Sequence, residues 1–243
     1  STNKELNYCV DNKLTIKHRA EILSLIMKSY QSIAVAGSHG KTSTSTLLTT
    51  LIDLCTNDTS SIVGGILPRY ESNTLIKNSK YLVAEIDESD GSTCQYTPYL
   101  GIINNIDFDH CDYYSNIQEL ISSFNKFGSN SKILLTNEDC KITKKNITSN
   151  YRWSIRKRNY VDFAMIPKKF YPEYTIADYY EKGEAITTLK IPIPGIHNLS
   201  NITAAISACR IINIDIKSIL KNIQYLQLPR KRFDVRGEIL GRR

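Results

Sequence analysis

The sequence predicts an α/β fold: a mostly parallel sheet flanked by helices, with a glycine-punctuated loop at the end of one strand and a smaller antiparallel patch later on. Three observations carry this. Ser32 to Ala36, Tyr81 to Ile86, Leu100 to Ile106 and Lys132 to Leu135 are short apolar runs, the pattern of parallel strands buried on both faces. Stretches with helical spacing separate them, and strands alternating with helices imply a parallel sheet covered on both sides. Between Tyr151 and Pro194 the texture changes to Tyr, Lys, Thr and short alternating runs such as Thr187 to Ile193, which read as antiparallel strands.

Taken in order, residues 1–31 hold one helix pattern, Ala20 to Met27. The run Ser32 to Ala36 ends at Gly37, and Lys41 to Leu54 then follows with Leu47, Leu48, Leu51, Ile52 and Leu54 as an apolar face. The runs at 81–86 and 100–106 are each followed at once by acidic residues or histidine. Asn116 to Phe127 has helical spacing through Ile117, Leu120, Ile121 and Phe124. A helix from Asn198 to Ile212 and another around Ile216 to Ile223 close the pattern, with no internal repeat or low-complexity tract.

Composition sets the class. A chain of 243 residues with 41% hydrophobic and 23% charged residues can bury a substantial core. No apolar run approaches the ~18 residues of a membrane span, and no charged-then-apolar signal segment opens the chain, whose first residue is Ser1. The net charge of +7 suits a polyphosphate ligand as well as nucleic acid. The basic residues are scattered, densest at 156–158 and 229–232, without aromatic interleaving. The expectation is therefore no nucleic-acid partner and no membrane partner. Six cysteines lie far apart with no C-x-x-C, which argues against a zinc site or disulfide framework and for reduced thiols in a cytoplasmic protein.

Gly37-Ser38-His39-Gly40-Lys41-Thr42 lies between a strand and a helix. The full Walker A spacing would need glycine at position 35, which is Val35, so the motif is the shorter G-x-x-G-K-[ST]. The physics survives the shortening. Glycines let backbone N–H groups close around phosphate oxygens, and the helix dipole favours the negative charge. Lys41 is placed to reach the β and γ phosphates, and Thr42 to offer its hydroxyl to Mg²⁺. By itself the loop indicates a nucleotide without indicating a reaction.

Four further segments follow: Ala84-Glu85-Ile86-Asp87-Glu88-Ser89-Asp90, Asn105-Ile106-Asp107-Phe108-Asp109-His110, Pro194-Gly195-Ile196-His197-Asn198-Leu199-Ser200-Asn201 and Arg230-Lys231-Arg232-Phe233. In this order and at these separations they resemble the Mur ligases. VAGSHGKTSTS is similar to that family's phosphate loop, with Ser38 and Ser43 where threonines are usual. EIDESDGS resembles the alanine-adding member, NNIDFDHCDYY its N-I-x-x-D-H segment, and PGIHNLSN the adenine-side G-x-H-N-x-x-N.

The resemblance implies ATP and Mg²⁺ as cofactors, and UDP-N-acetylmuramate and L-alanine as substrates joined through an acyl phosphate. It implies that Lys41, Glu85 and His110 carry catalysis and that Thr42, Glu85 and His110 ligate metal. It further implies that Gly37, Ser38, His39, Gly40, Lys41, Thr42 and Ser43 hold the phosphates, with His197, Asn198 and Asn201 on the adenine side. Arg232 falls on the arginine of the family's G-x-x-R-R-F, while Lys231 replaces the preceding arginine, keeping the charge but losing the bidentate fork. The residues alone leave other readings open. Glu85 could be a solvated strand-end acid, His110 a hydrogen-bonded structural histidine, Asn198 a helix cap, and Glu88 and Asp90 caps of the following turn. Asn105 is expected to touch substrate or metal-bound water.

The same resemblance implies three domains. Residues 1–31 correspond to the tail of a UDP-sugar domain with its linker, 32–232 to the central ATP-binding domain, and 233–243 to a link toward a C-terminal domain. A related ligase adding a peptide or folate glutamates is a second reading, against which DESDGS leans. A nucleotide-binding segment without ligase competence is a third.

Overall fold

The structure, a computed structural model, describes residues 3–108 and 113–230. In chain order its elements are α1 (Lys4–Asp11), α2 (Arg19–Met27), β1 (Gln31–Ala36), α3 (Lys41–Thr56), β2 (Thr59–Leu67), β3 (Ser72–Leu75), β4 (Tyr81–Glu85), β5 (Leu100–Ile103), α4 (Ile117–Asn130), β6 (Ile133–Asn137) and α5 (Lys141–Asn146). There follow β7 (Tyr151–Ser154), β8 (Phe163–Phe170), β9 (Thr175–Glu181), β10 (Glu184–Ile191), α6 (Ile196–Ile211) and α7 (Ile216–Asn222).

The apolar runs become strands because both faces of the sheet are covered. On β1, Ile33 and Val35 join a core with Leu47, Leu48, Leu51 and Ile52 of α3 and Ile202, Ala205 and Ile206 of α6. Ala34 and Ala36 point the other way, into a core with Ala20 and Met27 of α2 and Leu120, Phe124 and Phe127 of α4. β4 alternates likewise, Tyr81 and Val83 against Leu82 and Ala84. Period-2 alternation into two cores keeps both faces of these strands largely apolar, with Gln31, Ser32 and Glu85 confined to their ends.

One ten-stranded sheet runs in the order β10-β9-β8-β7-β6-β5-β1-β4-β2-β3. From β8 through β2 each neighbouring pair is parallel. β3 pairs antiparallel at one edge, and β9 and β10 pair antiparallel at the other. The antiparallel strands expected between 151 and 194 are present as β8, β9 and β10. They extend the parallel sheet, and β7 is itself a parallel strand. The strand expected from Leu100 to Ile106 ends at Ile103, because Asn104 and Asn105 turn away to brace the preceding loop.

The chain leaves β4 on one side of β1 and enters β5 on the other. That reversal opens a crevice beyond the carboxyl ends of β1, β4 and β5, the place where open α/β sheets bind ligands. Among the described residues, no helix is long and apolar enough to cross a membrane.

Candidate phosphate-binding site

The loop 37–40 sits in this crevice and is shaped by two glycines. Gly37 has φ of +130°, and a Cβ there would stand 2.9 Å from the Asn105 carbonyl oxygen. Gly40 has φ of +78°, and its Cβ would stand 2.4 Å from Asn201 Oδ1. Only glycine takes these backbone angles without strain. The first turn of α3 follows at once, so its N–H groups, which have no partner within the helix, face the crevice. Ser43 lies buried in that turn.

Two asparagines lock the loop from the end of β5. Asn105 Oδ1 accepts from His39 N at 2.8 Å, while Asn105 Nδ2 donates to His39 O at 3.0 Å. Asn104 Nδ2 donates to Thr44 Oγ1 at 2.9 Å. Ser38 N donates to Asn105 O, and Ser38 Oγ donates to Asp107 O at 2.9 Å. Asn105 is therefore spent on holding the His39 peptide, rather than free to meet a ligand. His39 itself is exposed, with Nε2 3.7 Å from an Asp107 carboxylate oxygen.

Thr42 and Glu85 meet directly, Thr42 Oγ1 donating to Glu85 Oε1 at 2.8 Å. The other carboxylate oxygen accepts from Gly64 N at 2.6 Å. A Cβ on Gly64 would stand 2.9 Å from that oxygen, and one on Gly65 would stand 2.6 Å from Thr42 Cγ2. A hydroxyl and a carboxylate side by side at a strand end suit a hard cation that takes its remaining oxygens from phosphate and water. Among the described residues no group of three or more His, Cys, Asp or Glu side chains forms a complete protein cage.

Lys41 points back over the loop. Its ammonium donates to Gly37 O at 2.9 Å and to both oxygens of Glu88, at 3.0 and 2.8 Å. Asp90, in the turn after β4, accepts from Ser92 N and pairs with Arg19 of α2. Burial works against its charge, but the Ser92 and Arg19 hydrogen bonds outweigh that and hold its pKa below the ordinary carboxylate value. The turn-cap reading of Asp90 is the one its hydrogen bonds support. Glu88 is different, since its carboxylate goes to Lys41.

The start of α6 closes the other side. A cavity of about 280 Å³ lies between the loop and this helix, lined by His39, Asp107, Asn137, Arg156, His197 and Ser200 among others. His197 is exposed there, Asn201 faces Gly40, and Asn198 Nδ2 donates back to Pro194 O at 2.8 Å. Asn198 thus donates to the backbone just before the helix rather than capping one of its N–H groups. His110 and Arg232, expected as metal ligand and phosphate-side arginine, lie outside the described residues; neighbouring Arg230 pairs with Glu71.

Sequence reasoning brought Gly37, Gly40, Lys41, Thr42, Glu85, His197 and Asn201 to one crevice. It missed Asn104 and the Gly64–Gly65 pair. The latter had a signal, since consecutive glycines inside a strand-like stretch mark a close approach.

Comparison with known proteins identifies the family. The family model of the Mur ligase middle domain matches residues 35–209. A UDP-N-acetylmuramate–L-alanine ligase of Prochlorococcus marinus subsp. pastoris is 58% identical over 237 residues, covering 98% of this chain and 50% of that protein. A protein of the same name from Synechococcus sp. (strain CC9311) is 43% identical over 238 residues, 98% of this chain and 49% of that protein. The crystal structure of a UDP-N-acetylmuramate–alanine ligase from Thermotoga maritima superposes with a TM-score of 0.87 at 21% identity, over 98% of this chain and 55% of the other. A Thermotoga maritima MurF ligase in complex with ADP gives 0.70 at 18%, over 93% and 56%. At such identities the structural likeness speaks for the fold. The chain spans about half the length of the curated relatives it matches. With the family's middle domain matched from β1 through most of α6, the chain belongs to the Mur ligases.

Proposed function

We propose that this chain is the ATP-binding part of a cytoplasmic ligase of peptidoglycan precursor synthesis, one that joins L-alanine to UDP-N-acetylmuramate. The observation that carries the reading is the phosphate loop with Lys41 bound to Glu88 and Thr42 bound to Glu85 at the carboxyl ends of β1 and β4. Relatives named for that reaction, at up to 58% identity, support the choice of amino acid and sugar.

On this reading the loop N–H groups and Lys41 bind the β and γ phosphates, and Thr42 Oγ1 with Glu85 Oε1 holds Mg²⁺. The metal, when bound, supplies charge neutralisation on the phosphates. His110 joins it by family resemblance, and His197 and Asn201 receive the adenine side. A muramyl carboxylate oxygen attacks the γ phosphorus, the bond to the β-phosphate oxygen breaks, and ADP leaves an acyl phosphate. The L-alanine amine then attacks the acyl carbon, phosphate departs, and the nitrogen loses a proton. The protein's part is alignment and charge compensation, effects worth ~7–11 kcal/mol when geometry is right. Segments of the kind the longer relatives carry would hold the sugar nucleotide and the amino acid.

A chimera tests competence directly. The matching half of the Prochlorococcus ligase is replaced by this chain, and phosphate release is followed with UDP-N-acetylmuramate, with and without L-alanine. The reading expects alanine-dependent release that Lys41→Ala abolishes. A folded chimera that binds ATP yet releases no phosphate would show a nucleotide-binding segment without ligase competence.

A further inference from the structure

Lys41 has three ammonium hydrogens, and the structure gives it three acceptors: Gly37 O and the two oxygens of Glu88. Both side chains are withdrawn from water, at 16% and 12% exposure. A lysine that must reach a phosphate is therefore fully engaged before any phosphate arrives. The carboxylate oxygens stand at 2.8 and 3.0 Å from Nζ, the distances and charge that two phosphate oxygens would offer. Glu88 is not a turn cap by its contacts, and it is not part of the Thr42–Glu85 pair, whose oxygens are bound to each other and to Gly64 N.

Resting on the nucleotide reading above, we propose that Glu88 is a positioning residue that holds Lys41 as a stand-in for the terminal phosphates and must yield it when they bind. An ammonium withdrawn from water is costly to leave unpaired, so the pair stabilises the loop. When the polyphosphate enters, Lys41 exchanges carboxylate for phosphate, and Glu88 is left facing like charge at short range. The exchange lowers affinity, and it lowers it most for ligands whose phosphates reach Lys41. Glu88 thereby sets how strongly the site prefers a triphosphate whose charge is neutralised by metal over a free one.

The test is calorimetric titration of wild type, Glu88→Gln and Glu88→Asp with ATP, ADP and AMP, each in Mg²⁺ and again in EDTA, alongside thermal melts without ligand. Glu88→Gln is expected to bind ATP about tenfold more tightly in Mg²⁺, with a larger gain in EDTA and none for AMP, while its ligand-free melting temperature falls. Glu88→Asp, which keeps the charge but shortens the reach, is expected to fall between. Weaker Mg-ATP binding by Glu88→Gln, lost in EDTA, would make Glu88 a metal ligand and overturn the proposal. A lower melting temperature with unchanged affinity would make it merely structural and overturn it as well. If wild type binds no nucleotide in either condition, it is the underlying nucleotide reading that fails.

Discussion

Gly40 has two independent reasons to be glycine. Its φ of +78° is one that other residues reach only with strain, and its missing Cβ leaves room for Asn201 Oδ1. Gly40→Ala should therefore cost about 1–3 kcal/mol in backbone strain and also push α6 away from the loop. The expected result is a lower melting temperature with at least tenfold weaker ATP binding, read by melt and titration on the same sample. A variant that melts and binds like wild type would mean that loop and helix are not coupled through this contact. The glycines, Lys41 and Thr42 were legible in the sequence because they are contiguous and their spacing has a mechanism. Asn104 was not. Its contacts run to Thr44 and His39, some sixty residues away, and nothing local marks it out from any other strand-end asparagine.

At the scale of elements, apolar runs were legible whatever their length, and polar ones were not. β1, α3, β4, α4 and α6 follow from apolar period and glycine punctuation. β2 was hidden by its composition, TSSIVGGIL, whose buried Ser60 is satisfied by Ser79 and Lys77 rather than by being apolar. α3 is buried at every position from Ser43 to Asp53, yet it is rich in Ser and Thr. Several of these hydroxyls bond a carbonyl one turn back, as Thr50 does to Thr46 and Ser45 does to Lys41.

Where β6 meets β7, buried Glu138 accepts from Arg152 and pairs with Lys144. Burial raises its pKa, but the hydrogen bonds and charges of Lys144 and Arg152 outweigh that and hold it below the ordinary carboxylate value. A carboxylate depressed in the folded state stabilises in full above its unfolded value and loses that contribution as pH falls through the folded one. The stability gap between wild type and Glu138→Gln should therefore be wide near neutrality and close as pH falls through and below the ordinary carboxylate range. Urea melts across that range check it, and a gap that stays constant would remove Glu138 from the account.

The whole molecule is organised by one reversal. Strand order passes from β4 across β1 to β5, and every charged or glycine-rich segment singled out in the first half of the sequence falls at the carboxyl ends of those strands. Sequence alternation predicted the parallel sheet. It did not predict that β8, β9 and β10 would continue the same sheet, because pairing partners across an edge leave no local trace. Nor did it predict how far α2 belongs to this unit. Ala20 and Met27 pack into the second core, and Arg19 pairs with Asp87 and Asp90 of the acidic segment. We propose that α2 acts as a strut against the site.

The central claim is that this crevice binds ATP with metal through Lys41. Calorimetric titration of the 243-residue chain with ATP and Mg²⁺, beside Lys41→Ala, tests it most directly. Wild type is expected to bind saturably, one to one, and Lys41→Ala at least tenfold more weakly, because the phosphates lose a cation and meet an uncompensated Glu88. Equal affinity in the two proteins, with the variant folded, would contradict it.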